Sequence, residues 1–241
     1  MSAFNGNLEL KRSNAATNTD TFRVFPFPVP AVNPAKTNHL YVAYADRGTS
    51  SGDKADVFFV CSTNGGTNWT SPVRVNTDTT TNDQWMPVLA VKPDGTQLFM
   101  AWYDQRNDTN NSLIDLYGCF GTIATSGIVT FGTEFKITTT NFPPVFAGKD
   151  PDNTADGHYD PVYPPAGINL HWHYEEWPPA DPPFYYTTDG SYSGHVGEYN
   201  GTFADGQSVY LTWTDYRLPA VGTLYARNQS DIRFVRITWP Q

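Results

Sequence analysis

Three stretches of the sequence end in an aspartate that is followed closely by an arginine. They are HLYVAYADR (39–47), QLFMAWYDQR (97–106) and SVYLTWTDYR (208–217). Guanidinium groups bind carboxylates through paired hydrogen bonds, so Arg47, Arg106 and Arg217 could together hold a carboxylated ligand. In a structural interpretation, each aspartate instead caps the turn after its strand and each arginine pairs with a neighbouring sheet. The structural interpretation is favoured, because the feature recurs in every unit whereas an active site breaks symmetry.

Residues 157–190 depart from this pattern and carry histidines at alternate positions. On a strand, His171, His173 and Glu175 would project from one face, and His158 with Asp160 could join them. Two imidazoles and a carboxylate are a chemically sensible ligand set for Zn, Fe or Cu. The alternative, a His-x-His on an exposed aromatic-rich edge without a metal, is favoured because the motif alone is a weak signal.

The same segment is rich in aromatic residues. Trp172, Tyr174, Trp177 and Tyr185 offer flat apolar faces to sugar C–H groups, and Glu175 could accept hydrogen bonds from sugar hydroxyls. Alternatively, these aromatic side chains pack a proline-rich loop onto the rest of the fold. Glycan binding and packing both remain open from the sequence.

Calcium is a further candidate ligand, because aspartates cluster in several turns of the chain. The clusters are Asp150, Asp152 and Asp156, and Asp104 with Asp108. Carboxylate oxygens suit Ca²⁺, but the spacing does not match an EF-hand, so a solvated acidic rim is favoured. We therefore expect no cofactor, with Ca²⁺ or a transition metal as the alternative.

The elements that must position these residues form an internal repeat of about 57 residues. Each unit continues from its Asp–Arg stretch into a second apolar strand. The second strands are DVFFV (56–60), DLYGC (115–119) and DIRFV (231–235). PAVNP (30–34) and LAVKP (89–93) precede the first two units, and NWTSPVRVN (68–76) and TFGTEFKIT (130–138) complete them. Strict alternation gives each small sheet two faces to bury, which favours radial stacking of the sheets as in a β-propeller.

Composition narrows the class of protein. The 241 residues are 15% aromatic and 16% charged, with 19 Gly and 19 Pro, which suits short strands joined by turns. The net charge of −9 and the absence of Lys/Arg runs argue against a nucleic-acid partner. No apolar run is long enough to span a membrane, and no signal peptide is visible after Met1. Cys61 and Cys119 each end an apolar strand, and two buried thiols are favoured over a disulfide.

The turn STNGGTNW (62–69) carries the most specific resemblance. It is similar to the S-x-D-x-G-x-T-W Asp-box of sialidase-like (BNR-repeat) β-propellers: Ser62, Gly66 and Trp69 match, while Asn64 replaces the usual Asp and Asn68 the usual Thr. The flanking DQWMPVLAVKPDG, WYDQRND and GEYNG also resemble this family. The resemblance runs from about residue 22 to the C-terminus and is poorest over 143–190.

The resemblance implies an all-β, sialidase-like β-propeller of four-stranded antiparallel blades, with about four blade units in this chain. It could be a closed four-bladed form, part of a six-bladed propeller, or a piece completed by another chain. We expect residues 1–21 to form a polar tail or irregular strand and residues 22–241 to form a single domain. Its units are about 24–80, 83–142, 143–190 (irregular, with an inserted loop) and 191–241.

The family includes lectins, glycan-processing enzymes and scaffolds, so the resemblance implies three alternatives. Carbohydrate recognition or a scaffold role, with a glycan or glycoconjugate as partner, is favoured. An exo-sialidase-type glycoside hydrolase is the second. The third is an interaction module in a larger extracellular assembly, where another protein chain completes or flanks the propeller. An extracellular or cell-surface location is implied in each case.

For the enzyme alternative, Arg23 in FRVFPFP partly matches the first carboxylate-binding arginine of sialidases, although Phe25 intervenes before Pro26. Arg47, Arg106 and Arg217 would complete the carboxylate site. Tyr199 beside Glu198 is the one pair that resembles the family's nucleophile and its activating glutamate. Adjacent residues on a strand point to opposite faces, which argues against a shared site for these two.

Overall fold

A computed structural model of the chain describes residues 8–11, 21–24, 27–48, 53, 55–109, 113–142, 185–186, 192–194, 200–219 and 228–241. At 8–11, 21–24, 185–186, 192–194, 216–219 and 228–231 it describes the backbone alone. The strands are β1 (Leu8–Lys11), β2 (Thr21–Val24), β3 (Val29–Asn33), β4 (Lys36–Asp46), β5 (Asp56–Ser62), β6 (Val73–Arg74), β7 (Gln84–Val91), β8 (Gln97–Asp104), β9 (Asp115–Ile123), β10 (Val129–Phe131), β11 (Phe135–Lys136), β12 (Tyr185–Tyr186), β13 (Tyr192–Gly194), β14 (Gly201–Ala204), β15 (Ser208–Pro219) and β16 (Asn228–Thr238). The described residues contain no helix, so the all-β prediction is confirmed for that part of the chain.

Three antiparallel sheets follow the predicted repeat. The first sheet has the order β3-β4-β5-β6, the second β10-β9-β8-β7 with β11 also paired to β9, and the third β14-β15-β16. Consecutive strands pair because short turns join them, as the repeat predicts. The expected four-stranded blade is therefore seen in the first sheet, whereas the second has five strands and the third has three among the described residues.

A fourth sheet, β1-β2-β13-β12, is described by its backbone. Its β2–β13 pair is parallel and its other pairs are antiparallel. The described sheets do not close into a ring, so the closed propeller expected from the sequence is not seen among the described residues.

The second sheet lies between the first and third sheets. The side chains of β8 explain this, because they alternate between its two faces. Leu98, Met100 and Trp102 belong to an apolar cluster shared with the first sheet. Phe99, Ala101 and Tyr103 belong to a second apolar cluster shared with the third sheet. All six side chains are fully buried, so β8 is covered on both faces, as its near-continuous apolar sequence requires.

The third sheet packs directly onto the second. Val209, Leu211 and Trp213 of β15 join the apolar cluster around Phe99, and Phe120 contacts Trp239 with ring centroids 5.5 Å apart. The hydroxyl of Tyr103 donates to the backbone oxygen of Thr214 at 2.9 Å. Burial of these side chains is the main force that holds the two sheets together.

The two cysteines are buried and free. Both lie in the apolar cluster between the first and second sheets. Burial raises the pKa of the Cys61 thiol, and it raises the pKa of Cys119 to about 12. At neutral pH both residues therefore stay protonated and act as small apolar side chains.

The STNGGTNW turn is held by its own polar side chains. Gly65 and Gly66 have positive φ values of 67° and 87°, which glycine adopts without a steric cost. The Ser62 hydroxyl accepts a hydrogen bond from the Gly66 amide at 2.9 Å, and Asn64 Oδ1 accepts one from the Asn68 amide at 2.9 Å. Asn64 therefore supplies the acceptor that an aspartate would supply at that position.

Candidate functional site

Each of the three sheets ends in two aspartates that face each other on neighbouring strands. Register pairs Asp46 with Asp56, Asp104 with Asp115, and Asp215 with Asp231. We call this end of the sheets the aspartate edge. Like charges directly opposite each other destabilise a sheet, so each pair needs compensating cations or hydrogen-bond donors. The compensating groups decide what this edge can bind.

In the first sheet the compensation comes from Arg74, the last residue of β6, and from Asn76 just after it. The buried carboxylate of Asp56 accepts hydrogen bonds from Arg74 Nε at 2.8 Å and from Asn76 Nδ2 at 2.7 Å. Asn76 Nδ2 also lies 2.9 Å from Asp78 Oδ1 and 2.8 Å from Gln84 Oε1. This network joins the end of the first sheet to the start of β7 in the second.

In the second sheet the compensation comes from Arg106, two residues after β8. Its Nε and Nη2 donate to the two oxygens of Asp104 at 2.9 and 2.6 Å, and its Nη1 lies 2.5 Å from Glu134 Oε2. Asp78 Oδ1 lies 3.8 Å from Nη2 of Arg106, which links this cluster to the network of the first sheet. The guanidinium thus contacts three carboxylates at once.

Burial and the neighbouring charges shift the pKa values of Arg106 and Asp104 in opposite directions. Burial lowers the pKa of Arg106, but the hydrogen bonds and charges of Asp104 and Glu134 outweigh it and raise the pKa overall. Burial raises the pKa of Asp104, and Arg106 with the Trp102 indole, whose Nε1 donates to Asp104 at 2.9 Å, opposes that rise. Arg106 therefore stays a cation under all ordinary conditions.

Asp115, the partner of Asp104 in the register, is compensated separately. Lys136 Nζ lies 2.9 Å from its Oδ1, and the Thr138 hydroxyl donates to the same oxygen at 2.9 Å. Asn107 Nδ2 donates to its Oδ2 at 2.8 Å. Asp104 and Asp115, the aspartate pair of the second sheet, are thus each compensated by their own neighbouring cation.

Asp53 is a buried carboxyl group close to the first-sheet network. It is 7% exposed, and its Oδ1 has no hydrogen-bond partner among the described residues. Burial, followed by the charges of Asp56 and Asp83, raises the pKa of Asp53 to about 7, although Arg74 opposes the rise. Asp53 is therefore partly protonated near neutral pH.

A surface depression of about 540 Å³ opens beside Arg106. We call it the Arg106 depression, and its lining residues are Thr77, Arg106, Tyr117, Phe131, Gly132, Thr133 and Glu134. The Arg106 guanidinium lies 4.2 Å from the centre of the Tyr117 ring, and Glu134 Oε1 accepts a hydrogen bond from the Thr77 amide. The depression thus combines aromatic faces with hydroxyl groups, a carboxylate and a guanidinium.

The structure describes some of the residues that the sequence singled out. Arg106 lines the depression, while Arg47 is exposed and its amide donates to Asp46 Oδ1 at 2.8 Å. The backbone alone is described at Arg23, which pairs with Glu9, at Arg217 in β15, and at Tyr185, which pairs with Ser193. These assignments remain predictions.

The other candidates lie outside the described residues and also remain predictions. They are the glycan-binding candidates Trp172, Tyr174, Glu175 and Trp177, the metal candidates His158, His171 and His173, and the pair Glu198 and Tyr199. Among the described residues, no group of three or more His, Cys, Asp or Glu side chains could hold a metal ion. That part of the chain also contains no helix able to cross a membrane.

Sequence reasoning missed most of the Arg106 depression. The aspartate that begins each second strand was a usable signal for the edge, because Asp56, Asp115 and Asp231 recur at equivalent positions. Glu134 and Tyr117 carried no such signal, since neither recurs in the other units. Only the fold brings them beside Arg106.

The chain matches no protein-family model and no curated protein. Among solved structures, a Trypanosoma rangeli sialidase in complex with 2,3-difluorosialic acid (a covalent intermediate) is similar, with a TM-score of 0.32 and 14% sequence identity. The similarity covers 98% of this chain and 35% of that sialidase chain. This chain thus spans about a third of the sialidase's length.

Proposed function

We propose that this chain is a sialidase-like β-propeller module that binds carbohydrate, at the cell surface or outside the cell. Two observations support the fold part of the proposal: the Asp-box-like turn at 62–69, and three antiparallel sheets that stack face to face in the order of the repeat. Stacked sheets of this kind are the building units of a propeller.

The Arg106 depression is the observation that carries the binding part of the proposal. Sugars present an apolar face of C–H groups and a rim of hydroxyls, so their sites combine aromatic rings with well-placed polar groups. Tyr117 and Phe131 supply the rings, and Thr77, Thr133 and Glu134 supply the polar groups. A saccharide is the ligand class that uses both.

Binding is favoured over hydrolysis because the charged groups here are already engaged. Arg106 donates to Asp104 and forms an ion pair with Glu134, so a ligand carboxylate would have to displace one of them. The common two-carboxylate mechanism needs an acid and a second carboxylate flanking the bond that breaks, and the sialidase-type mechanism needs a tyrosine nucleophile, an activating glutamate and a separate acid. The Arg106 depression contains one carboxylate, Glu134, and it is paired with Arg106.

A glycan array with the full chain tests the proposal. We expect specific binding that falls at least tenfold for Glu134→Gln, which keeps the shape of the side chain but loses its charge. Asp94→Asn is the matched control, because Asp94 pairs with Lys92 in the turn before β8, at the opposite end of the strands. If the wild-type protein binds no glycan, the proposal is wrong.

The array also locates the site. Loss of binding in Trp172→Ala with full binding in Glu134→Gln would move the site to the aromatic segment 157–190 that includes Trp172, Tyr174, Glu175 and Trp177. Turnover of a fluorogenic sialoside that disappears in Arg23→Ala would favour the exo-sialidase alternative instead.

A further inference from the structure

The carboxylates beside the Arg106 depression outnumber the cations that compensate them. Three cations each pair with one aspartate of the aspartate edge. The pairs are Arg74–Asp56 at 2.8 Å, Arg106–Asp104 at 2.6 Å and Lys136–Asp115 at 2.9 Å. Two further carboxylates, Asp78 and Glu134, contact Arg74 or Arg106, which those pairs already engage. Among the described residues this network therefore carries an excess of two negative charges.

The excess negative charge lies at the depression itself. Glu134 lines the depression, and Asp78 directly follows Thr77, another lining residue. The side chains of Asp78 and Glu134 are each 6% exposed, so water and salt screen their charges less than those of surface carboxylates. A charged group that enters the depression therefore meets a field that these two carboxylates dominate.

This field separates ligands by their charge. An excess of negative charge attracts an ammonium group and repels a carboxylate. The Arg106 guanidinium, which could otherwise attract an acid, already has Asp104 and Glu134 as partners. The ring of Phe131, which also lines the depression, favours a cation too, because the face of an aromatic ring is electron-rich.

We propose that the Arg106 depression binds a saccharide with a free amino group in preference to one with a carboxylate. Glu134 is the partner of the ammonium group. A carboxylate has about four lone-pair sites, and Glu134 uses one for the Thr77 amide and one for Arg106, so it can accept a further donor. This selectivity rests on the proposed function, because it names the class of carbohydrate that the depression takes.

A glycan array with the full chain tests the selectivity. It presents glucosamine and galactosamine oligomers, their N-acetylated forms and the corresponding uronic acid oligomers. We expect the amino forms to bind about tenfold more tightly than the uronic acid forms, with the N-acetylated forms between them. In about 1 M salt the difference should fall below about threefold, because the Debye length shrinks to about 3 Å.

A variant that changes the charge beside the depression without changing its lining sharpens the test. Lys136 pairs with Tyr117 in the register of β11 and β9, and Lys136→Gln raises the excess of negative charge by one. The ratio of amino to uronic acid binding should then rise about two- to fivefold. Lys36→Gln is the matched control, because Lys36 begins β4 at the end opposite Asp46, where its Nζ donates to the Thr125 backbone oxygen at 2.6 Å.

The control separates a local field from a general one. The whole chain has a net charge of −9, so an amine could be attracted without a specific site. A general attraction would raise the ratio equally in Lys136→Gln and Lys36→Gln, and that result would overturn the proposed selectivity. The salt dependence of the wild-type protein answers the same question without a substitution, and an unchanged ratio in high salt would also overturn it.

The two proposals fail in different ways. If no saccharide on the array binds, the proposed function itself is wrong. If saccharides bind but the uronic acid forms bind as well as the amino forms or better, carbohydrate binding stands and the selectivity for amino sugars is wrong.

Discussion

The first and second sheets end in almost the same sequence, yet their arginines differ completely. In the first, Arg47 follows Asp46 directly and is exposed. In the second, one additional residue separates Asp104 from Arg106, and the guanidinium folds back onto the Asp104 carboxylate and reaches Glu134. In the first sheet Arg74, from a different strand, compensates the carboxylate pair instead.

This difference shows that the aspartate pair is the constant feature and the source of the cation is variable. A recurring Asp–Arg motif therefore does not specify a recurring ion pair. Of the two arginines whose side chains are described, Arg106, two residues after its aspartate, contacts the edge, and Arg47, directly after its aspartate, lies in solvent.

Replacing Arg106 or Arg47 by methionine, in separate variants, should give the largest difference in unfolding free energy. Arg106→Met leaves the buried Asp104 without its cation, and removing one partner of a buried pair costs about 3–5 kcal/mol of unfolding free energy. Arg47→Met should cost less than about 0.5 kcal/mol, because Arg47 is exposed. Urea denaturation of both variants measures the difference, and equal losses would contradict the assignment of Arg106 as the compensating cation.

Asp53 tests how burial of a carboxyl group beside the first sheet makes the stability of the protein depend on pH. Its pKa of about 7 lies above the value of 3.8 for an unperturbed aspartate, so the folded protein holds a proton between these values that the unfolded chain has lost. The contribution of Asp53 to stability is therefore complete below about pH 4 and is lost as the pH rises through about 7.

Asp53→Asn should remove that dependence. At pH 8 we expect the variant to be more stable than wild type by up to about 4 kcal/mol, since the pKa lies about three units above its ordinary value and each unit corresponds to about 1.4 kcal/mol. At pH 4 the two proteins should be nearly equal. Chemical denaturation across this pH range checks the prediction, and a constant difference at all pH values would show that burial of a charge is not the cause.

Trp102 of the second sheet and Trp213 of the third sheet occupy equivalent positions near the aspartate edge, but their hydrogen bonds differ. Trp102 Nε1 donates to Asp104, whereas Trp213 Nε1 has no hydrogen-bond partner among the described residues. Trp102→Phe should therefore cost about 1–2 kcal/mol more than Trp213→Phe, because a hydrogen bond to a charged group is lost in addition to volume. Thermal unfolding of the pair of variants measures this difference, and a larger loss in Trp213→Phe would reverse the interpretation.

Substitution of Tyr117 should have the smallest effect on the free energy of unfolding. Its ring lies beneath the Arg106 guanidinium, and its hydroxyl accepts a hydrogen bond from Asn107 Nδ2 at 2.8 Å. Tyr117→Phe keeps the ring and should cost less than about 0.5 kcal/mol, while Tyr117→Leu should cost about 1 kcal/mol through loss of the cation–π contact. Similar losses in both variants would mean that the hydroxyl, and not the ring, supports Arg106.

Much of the sheet structure was predictable because strand alternation is a local property. The apolar and polar positions of β4, β8 and β15 define two faces each, and the structure buries those faces as the pattern requires. The turn at 62–69 was predictable for the same reason, since Asn64, Gly65 and Gly66 favour tight turns by themselves.

The Arg106 depression was predictable only in part. Arg106 was visible as part of a repeated motif, but its contact with Glu134 joins residues 28 positions apart in the sequence through the path of β9 to β11. Charge pairing across that distance depends on three-dimensional packing, which a single sequence does not encode in a local pattern. The same reasoning explains why the raised pKa of Asp53 could not be predicted.

Tyr103 has a consequence for how this protein can be engineered. Its ring lies 6.0 Å from that of Phe142, and its hydroxyl is 2.8 Å from Asn200 Oδ1, so one residue of the second sheet contacts both ends of the segment 143–199, which includes β12 and β13. A short Gly-Ser bridge in place of this segment would remove β12 and β13 but could leave the second and third sheets in contact. Each halving of a loop saves about 0.6 kcal/mol of closure entropy. The junction at Tyr103 is thus a place where one intervening segment could be exchanged for another while the second and third sheets stay as they are.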